Sequence, residues 1–240
     1  MTCDRKLLKR EAKAAMHEMN PRPVVVGIVY FVIGVVLHLI ANGIGACFGM
    51  SFWRMARLIG QGVPSYIVYA NAFRGVGGAV VIFVSIIIVL VGALLAFGFG
   101  TVYALRVARH DTAAGFPDLL AGFHQPGRII LADIVMFIFI YLWSLLLIFP
   151  GIIAAYRLRM TLYLLADHPE LPVMEALRQS RLLMKGFKGQ AFWLDLSFLG
   201  WFLLCAVTGG ILMIYVAPYY QTTAANFYFY VRNNQQNRGM

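Results

Sequence analysis

The chain has 240 residues, of which 61% are hydrophobic and 12% charged, with a net charge of +10. Soluble domains carry about 45–50% apolar and about 25% charged residues, so a soluble globular protein is excluded. The apolar excess must face lipid, and the sequence reads as an all-α, polytopic transmembrane helical bundle.

The positive balance is 20 Lys and Arg against 10 Asp and Glu, spread over every loop. That spread fits loops held against an anionic leaflet and argues against a nucleic-acid partner. Cys3, Cys47 and Cys205 stand far apart, with no metal or disulfide spacing. No cofactor or metal site is expected.

In chain order, residues 1–22 form an amphipathic cytoplasmic helix with Leu7, Leu8, Ala12, Ala15 and Met19 on its apolar side. They are charged throughout, which excludes a cleavable signal core. A single transmembrane domain is expected over 23–232, with about six spans near 24–48, 76–105, 129–149, 152–166, 191–213 and 216–231. Residues 233–240 read as a polar tail. The connection 49–75 holds Arg54, Arg57 and Arg74 and no acid, and suggests a segment lying in the interface. Pro150-Gly151 should break one helix and Gly209-Gly210 or Pro218 another. Lys and Arg in the N-terminal segment, 106–128 and 167–190 put those loops and both termini in the cytoplasm. The connection 49–75 breaks this rule.

Two segments share a layout. Gly127 to Asp133 and Gly189 to Asp195 each place an Asp six residues after a Gly, just inside a span. Each follows a short amphipathic stretch, Phe116 to Phe123 and Val173 to Phe187, the second with Val173, Leu177, Met184 and Phe187 on one face. The N-terminal portion resembles a third copy, which suggests three units of surface helix plus hairpin.

Asp133 and Asp195 have two readings. An acid within the bilayer is a candidate proton or cation site; at a helix start it also complements the positive dipole end near water. Arg157 and Arg159, two residues apart, point to different faces of a short span. They read as contacts to lipid headgroups or another anion, or as arginines snorkelling to the interface. Arg178, Arg181, Lys185 and Lys188 supply the base of the following loop, and with Arg157 and Arg159 complete the candidate lipid or anion contact. His38 and Asn42 suggest an interhelical hydrogen bond, and Gly43, Gly45 and Gly92 to Gly100 suggest close helix packing. Tyr215, Tyr219, Tyr220, Phe227, Tyr228, Phe229 and Tyr230 read as an interfacial aromatic belt. Nucleotide-binding, serine-hydrolase and zinc-protease motifs are all missing.

Residues 142–201, with the elements A-D-x-P, S-R-x-x-M-K-G and L-S-F-x-G-W, resemble the core of the bacterial integral membrane proteins catalogued as domain of unknown function 975. FPDLLAGFHQPGR and APYYQTTAANFY are similar to the same family, whereas residues 45–105 depart from it. The family is in turn distantly similar to the membrane domains that accompany glycerophosphodiester phosphodiesterases, a hint of lipid context. The resemblance implies no catalytic residues. It places Arg178, Arg181, Met184, Lys185 and Gly186 in a signature surface helix.

The expected protein is therefore a non-enzymatic, multi-pass protein of the bacterial cytoplasmic membrane. Its expected partners are anionic membrane lipids, another membrane protein or further copies of itself. A small-solute or ion transporter is the alternative, and an intramembrane enzyme acting on lipid the third reading.

Overall fold

A computed structural model describes residues 5–19, 22–47, 57–65, 75–146 and 148–237. Cys3, Arg54 and Arg74, and with them most of the basic connection, lie outside the described residues. Every regular element among those described is helical.

Among the described residues, four helices are long and apolar enough to cross a membrane, over Pro23–Ile44, Ala79–Ala108, Pro126–Leu145 and Lys188–Val207. Large apolar side chains stand exposed along them, such as Phe83 at 65%, Phe137 at 67% and Val207 at 85%. Water would oppose that exposure at about 25 cal/mol per Å², so these surfaces belong in lipid. The other two expected spans are also helical. Residues 152–166 are split by a turn, and 216–231 lie in a helix rich in polar residues.

The described residues fall into two compact units, 1–28 with 94–240, and 29–93. The smaller holds most of α2 (Pro23–Cys47) and of α3 (Gly75–Phe97). In it Asn42 donates to His38 Nε2 at 2.9 Å and to the His38 carbonyl at 2.9 Å. The expected bond between helices is therefore a bond within one, because residues four apart are neighbours on a helix surface. Among the described residues, a Cβ on Gly43 or Gly92 would meet nothing within 4 Å.

The larger unit begins with α1 (Arg5–Glu18), which buries Leu8, Ala12, Ala15 and Met16. Met19 is also buried, but Leu7, expected on the same stripe, is 52% exposed and lies off the buried face. After α3 the helix continues through a π-helical turn, Gly98–Tyr103, into α4 (Ala104–Ala108). A 3-10 helix, Phe116–His124, then lies so close that a Cβ on Gly98 would overlap the Leu119 carbonyl, and one on Gly122 the Leu94 carbonyl. Glycine is required at both, the close packing expected of this glycine-rich stretch.

Helices α5 (Pro126–Leu146) and α6 (Ile148–Leu158) form a hairpin. Pro150-Gly151 sits in the first turn of α6, a correction to its expected role as the break. Proline is tolerated there because first-turn N–H groups have no helical acceptor. A Cβ on Gly151 would overlap Ser144, so glycine lets the two arms close. Next come α7 (Thr161–Asp167), α8 (Val173–Leu183), α9 (Lys188–Leu196) and α10 (Leu199–Val207). The expected face of α8 is buried, with Val173 at 8%, Leu177 and Met184 at 0% and Phe187 at 2% exposure. Gly186, just past the end of α8, has φ +87°, where a side chain would be strained.

Gly209 and Gly210 close α10 at φ +61° and +88°, and the Gly210 N–H donates to the Cys205 carbonyl at 2.8 Å. The last helix, α11 (Met213–Gln236), continues unbroken past Pro218 and past the expected start of the tail. It packs against α1 and α4, with Ala225, Phe227, Tyr228 and Val231 fully buried. Phe227 and Tyr228 are thus core residues and not an interfacial belt, since a helix surrounded by protein buries its aromatics.

Candidate functional site

The central feature grows from the break between α6 and α7. The Met160 N–H donates to Ser180 Oγ at 3.2 Å, and that hydroxyl donates to the Arg157 carbonyl at 3.0 Å. One serine on α8 thus satisfies both backbone groups that the break frees. The turn aims Arg159 inward and leaves Arg157 exposed.

Arg159 Nη1 lies 2.6 Å from Asp195 Oδ2 on α9. The Tyr156 hydroxyl donates to the same oxygen at 2.8 Å, and the Tyr220 hydroxyl to Oδ1 at 2.9 Å. Arg159 Nη2 reaches the Tyr220 oxygen at 3.1 Å. The Arg159 side chain is 15% and the Asp195 side chain 25% exposed. The carboxylate therefore takes three charge-assisted or hydroxyl bonds, and the guanidinium is committed to it rather than offered to a headgroup. Tyr156 and Tyr220 carry half of this cluster, and sequence reasoning missed them. Tyr156 stands beside the arginines in AAYRLR, but nothing in the sequence singles out Tyr220.

Asp133 has no ion pair or hydrogen bond among the described residues, although it lies about two turns into α5 as Asp195 lies about two turns into α9. Each acid also stands close behind the first exposed large apolar residue of its helix, Leu131 and Phe192.

The basic candidates separate by environment. Arg157 and Lys185 are exposed and Lys188 is half-buried, and none of the three side chains has a partner among the described residues. Arg178 meets Glu175 at 3.5 Å, and the Arg181 guanidinium lies 5.1 Å over the Phe139 ring. Tyr156 packs edge-on to Phe192 with centroids 6.2 Å apart, which brings the α6 end carrying Arg157 beside α9. Helix α1 reaches the same region: Lys9 Nζ donates to the Ser197 carbonyl at 3.0 Å and lies 4.1 Å over the Phe198 ring. Burial, and then the charge of Arg5, pull the Lys9 ammonium below its ordinary range.

Two further clusters tie helix ends together. Asp167 takes Arg109 on Oδ1, and on Oδ2 takes Arg232 at 2.6 Å and the Tyr228 hydroxyl at 3.0 Å. Asp118, 5% exposed, meets Arg106 at 2.9 Å and accepts the Gly115 N–H at 3.0 Å. Burial pushes its carboxyl above the usual range, against the pull of Gly115 and Arg106. Among the described residues no cluster of His, Cys, Asp and Glu could hold a metal ion.

Four helices long and apolar enough to cross a membrane, among the described residues, point to a multi-pass membrane protein. Residues 145–235 match the family model described as Protein of unknown function (DUF975), which upholds the resemblance carried by residues 142–201. The matched segment contains the whole Arg159–Asp195–Tyr156–Tyr220 cluster and all six basic candidates, whereas Asp133 lies outside it. No curated protein and no solved structure matches the chain, and no match carries the likeness to phosphodiesterase membrane domains.

Proposed function

We propose that this is a non-enzymatic protein of the bacterial cytoplasmic membrane, with both termini cytoplasmic, that works by contacting anionic lipid. One observation carries the reading. Arg157 and Lys185 are exposed without an acid partner among the described residues, and α9 nearby in the chain carries Phe192 and Trp193 at 46% and 55% exposure. Unneutralised bases and exposed aromatics in one stretch of chain suit the boundary between headgroups and hydrocarbon. Lys188 adds to the same stretch, and Arg178 and Arg181 precede it on α8. Arg159 is left out, since Asp195 already holds it.

The test is lipid enrichment in nanodiscs of mixed phosphatidylcholine and phosphatidylglycerol, read by mass spectrometry of the released protein. Wild type should carry phosphatidylglycerol in excess of its share, and Lys185→Glu/Lys188→Glu should not. Equal enrichment in both would overturn the reading.

A small-solute or ion transporter is the second reading, favoured by the Arg159–Asp195 pair within the apolar zone. Charges placed there commonly mark substrate or proton paths. Solute flux in proteoliposomes that vanished in Asp195→Asn would put this reading first.

A further inference from the structure

A cleft of about 610 Å³ opens between α7, α8 and α11, apart from the cluster at Asp195. Its apolar wall is Leu164, Leu182 and Leu183, and its polar wall carries His168, Gln179 and Arg232. The volume lies within the range of small-molecule sites, about 300–1,000 Å³.

The walls are fixed by bonds already formed. The Gln235 amide donates to the carbonyls of Leu182, Leu183 and Lys185 at 3.3, 3.1 and 3.3 Å, which ties the end of α8 to α11. Asp167 holds Arg232 from the side, and the same carboxylate holds Arg109. One carboxylate between two guanidiniums leaves one positive charge uncompensated. The Asp167 side chain is 3% exposed and that of Arg232 33%, so the acid is enclosed while the arginine keeps donors open at the cleft. The other acids nearby are engaged. Glu170 meets His168 at 3.3 Å, and Glu175 takes Arg178 at 3.5 Å and the Gln179 amide at 3.3 Å.

We propose that this cleft binds the head of a single anionic phospholipid, with Arg232 taking its phosphate. A guanidinium presents parallel donors that match phosphate oxygens two at a time. The leucine wall then lies along the start of an acyl chain, and Leu182, 52% exposed, carries that wall outward to the surface. The apolar side is what selects a lipid over free phosphate. The site goes beyond the basic stretch proposed above and does not rest on it, because no side chain of that stretch lines the cleft.

Native mass spectrometry of the full chain released from mixed phosphatidylcholine and phosphatidylglycerol nanodiscs tests the assignment. Wild type should retain one phosphatidylglycerol after the others are stripped. Arg232→Gln should retain it about tenfold less, a loss on the order of one charge-assisted contact. Leu183→Trp fills the cleft without touching a charge and should lose the lipid equally, with an unfolding midpoint that shows it is folded. Retention unchanged in Leu183→Trp would overturn the proposal. So would inorganic phosphate binding to the wild type with no lipid retained. Lys185→Glu/Lys188→Glu should keep the one-to-one complex while losing bulk enrichment; loss of both together would overturn the independence of the cleft.

Discussion

Gly127 to Asp133 and Gly189 to Asp195 open two apolar helices with the same spacing, yet the two acids have different fates. Asp195 is tied to Arg159, Tyr156 and Tyr220. Asp133 has no bonded partner among the described residues. The difference does not come from the two acids' own helices, where both lie at the same depth. It comes from the neighbouring arm, which breaks at Arg159 and Met160 and returns an arginine to Asp195. A repeated layout thus fixes where an acid stands along a helix, while a local irregularity elsewhere decides whether that acid is paired.

The largest expected effect breaks this asymmetry directly. Asp195→Ala leaves Arg159 without its counter-charge and should cost about 3 kcal/mol, as breaking a buried pair does. Asp133→Ala removes no bond and should lie within about 1 kcal/mol of wild type or be stabilising. Thermal unfolding in detergent, followed by intrinsic fluorescence, compares the two. Equal losses would erase the distinction.

Ser180→Ala sharpens the comparison from the side of the break. It orphans the Met160 N–H and the Arg157 carbonyl together, and should cost about 2 kcal/mol. Ser180→Thr, which keeps the hydroxyl, should recover most of that in the same assay.

The smallest effect is at Asp118, an acid with partners and yet with a raised pKa. A carboxyl raised in the folded state contributes stability in full below its unfolded pKa, and the contribution is lost as pH rises through its folded pKa. The unfolding midpoint of wild type should therefore fall as pH climbs from the ordinary carboxylate range through the raised value. Asp118→Asn should flatten that stretch of the profile, by under about 1 kcal/mol. A profile identical to wild type would remove Asp118 from the account.

Much of this fold was legible in local pattern. The stripe of Val173, Leu177, Met184 and Phe187 is a 3.6-residue period, and Gly209-Gly210 is a helix stop by chemistry alone. The four long apolar runs read directly as membrane-crossing helices. The paired site was not legible, because Arg159 and Asp195 lie 36 residues apart and meet only through the α6–α7 break. The aromatic run of α11 misled for a related reason. Tyr219, Tyr220, Phe227 and Tyr228 resemble a belt in composition, but the packing of α11 against α1 and α4 turns Phe227 and Tyr228 into core, and Tyr220 is a partner of Asp195. Composition reports that a helix is amphipathic; only packing decides what its polar atoms meet.

The account rests on Arg159 and Asp195 acting as one unit, and a double-mutant cycle measures that most directly. Arg159→Met, Asp195→Leu and the double variant would be unfolded thermally in one detergent. Each single change should cost about 3 kcal/mol and the double much less than their sum, a coupling of about 2 kcal/mol. Additive losses, with coupling near zero, would contradict the pairing of Arg159 with Asp195.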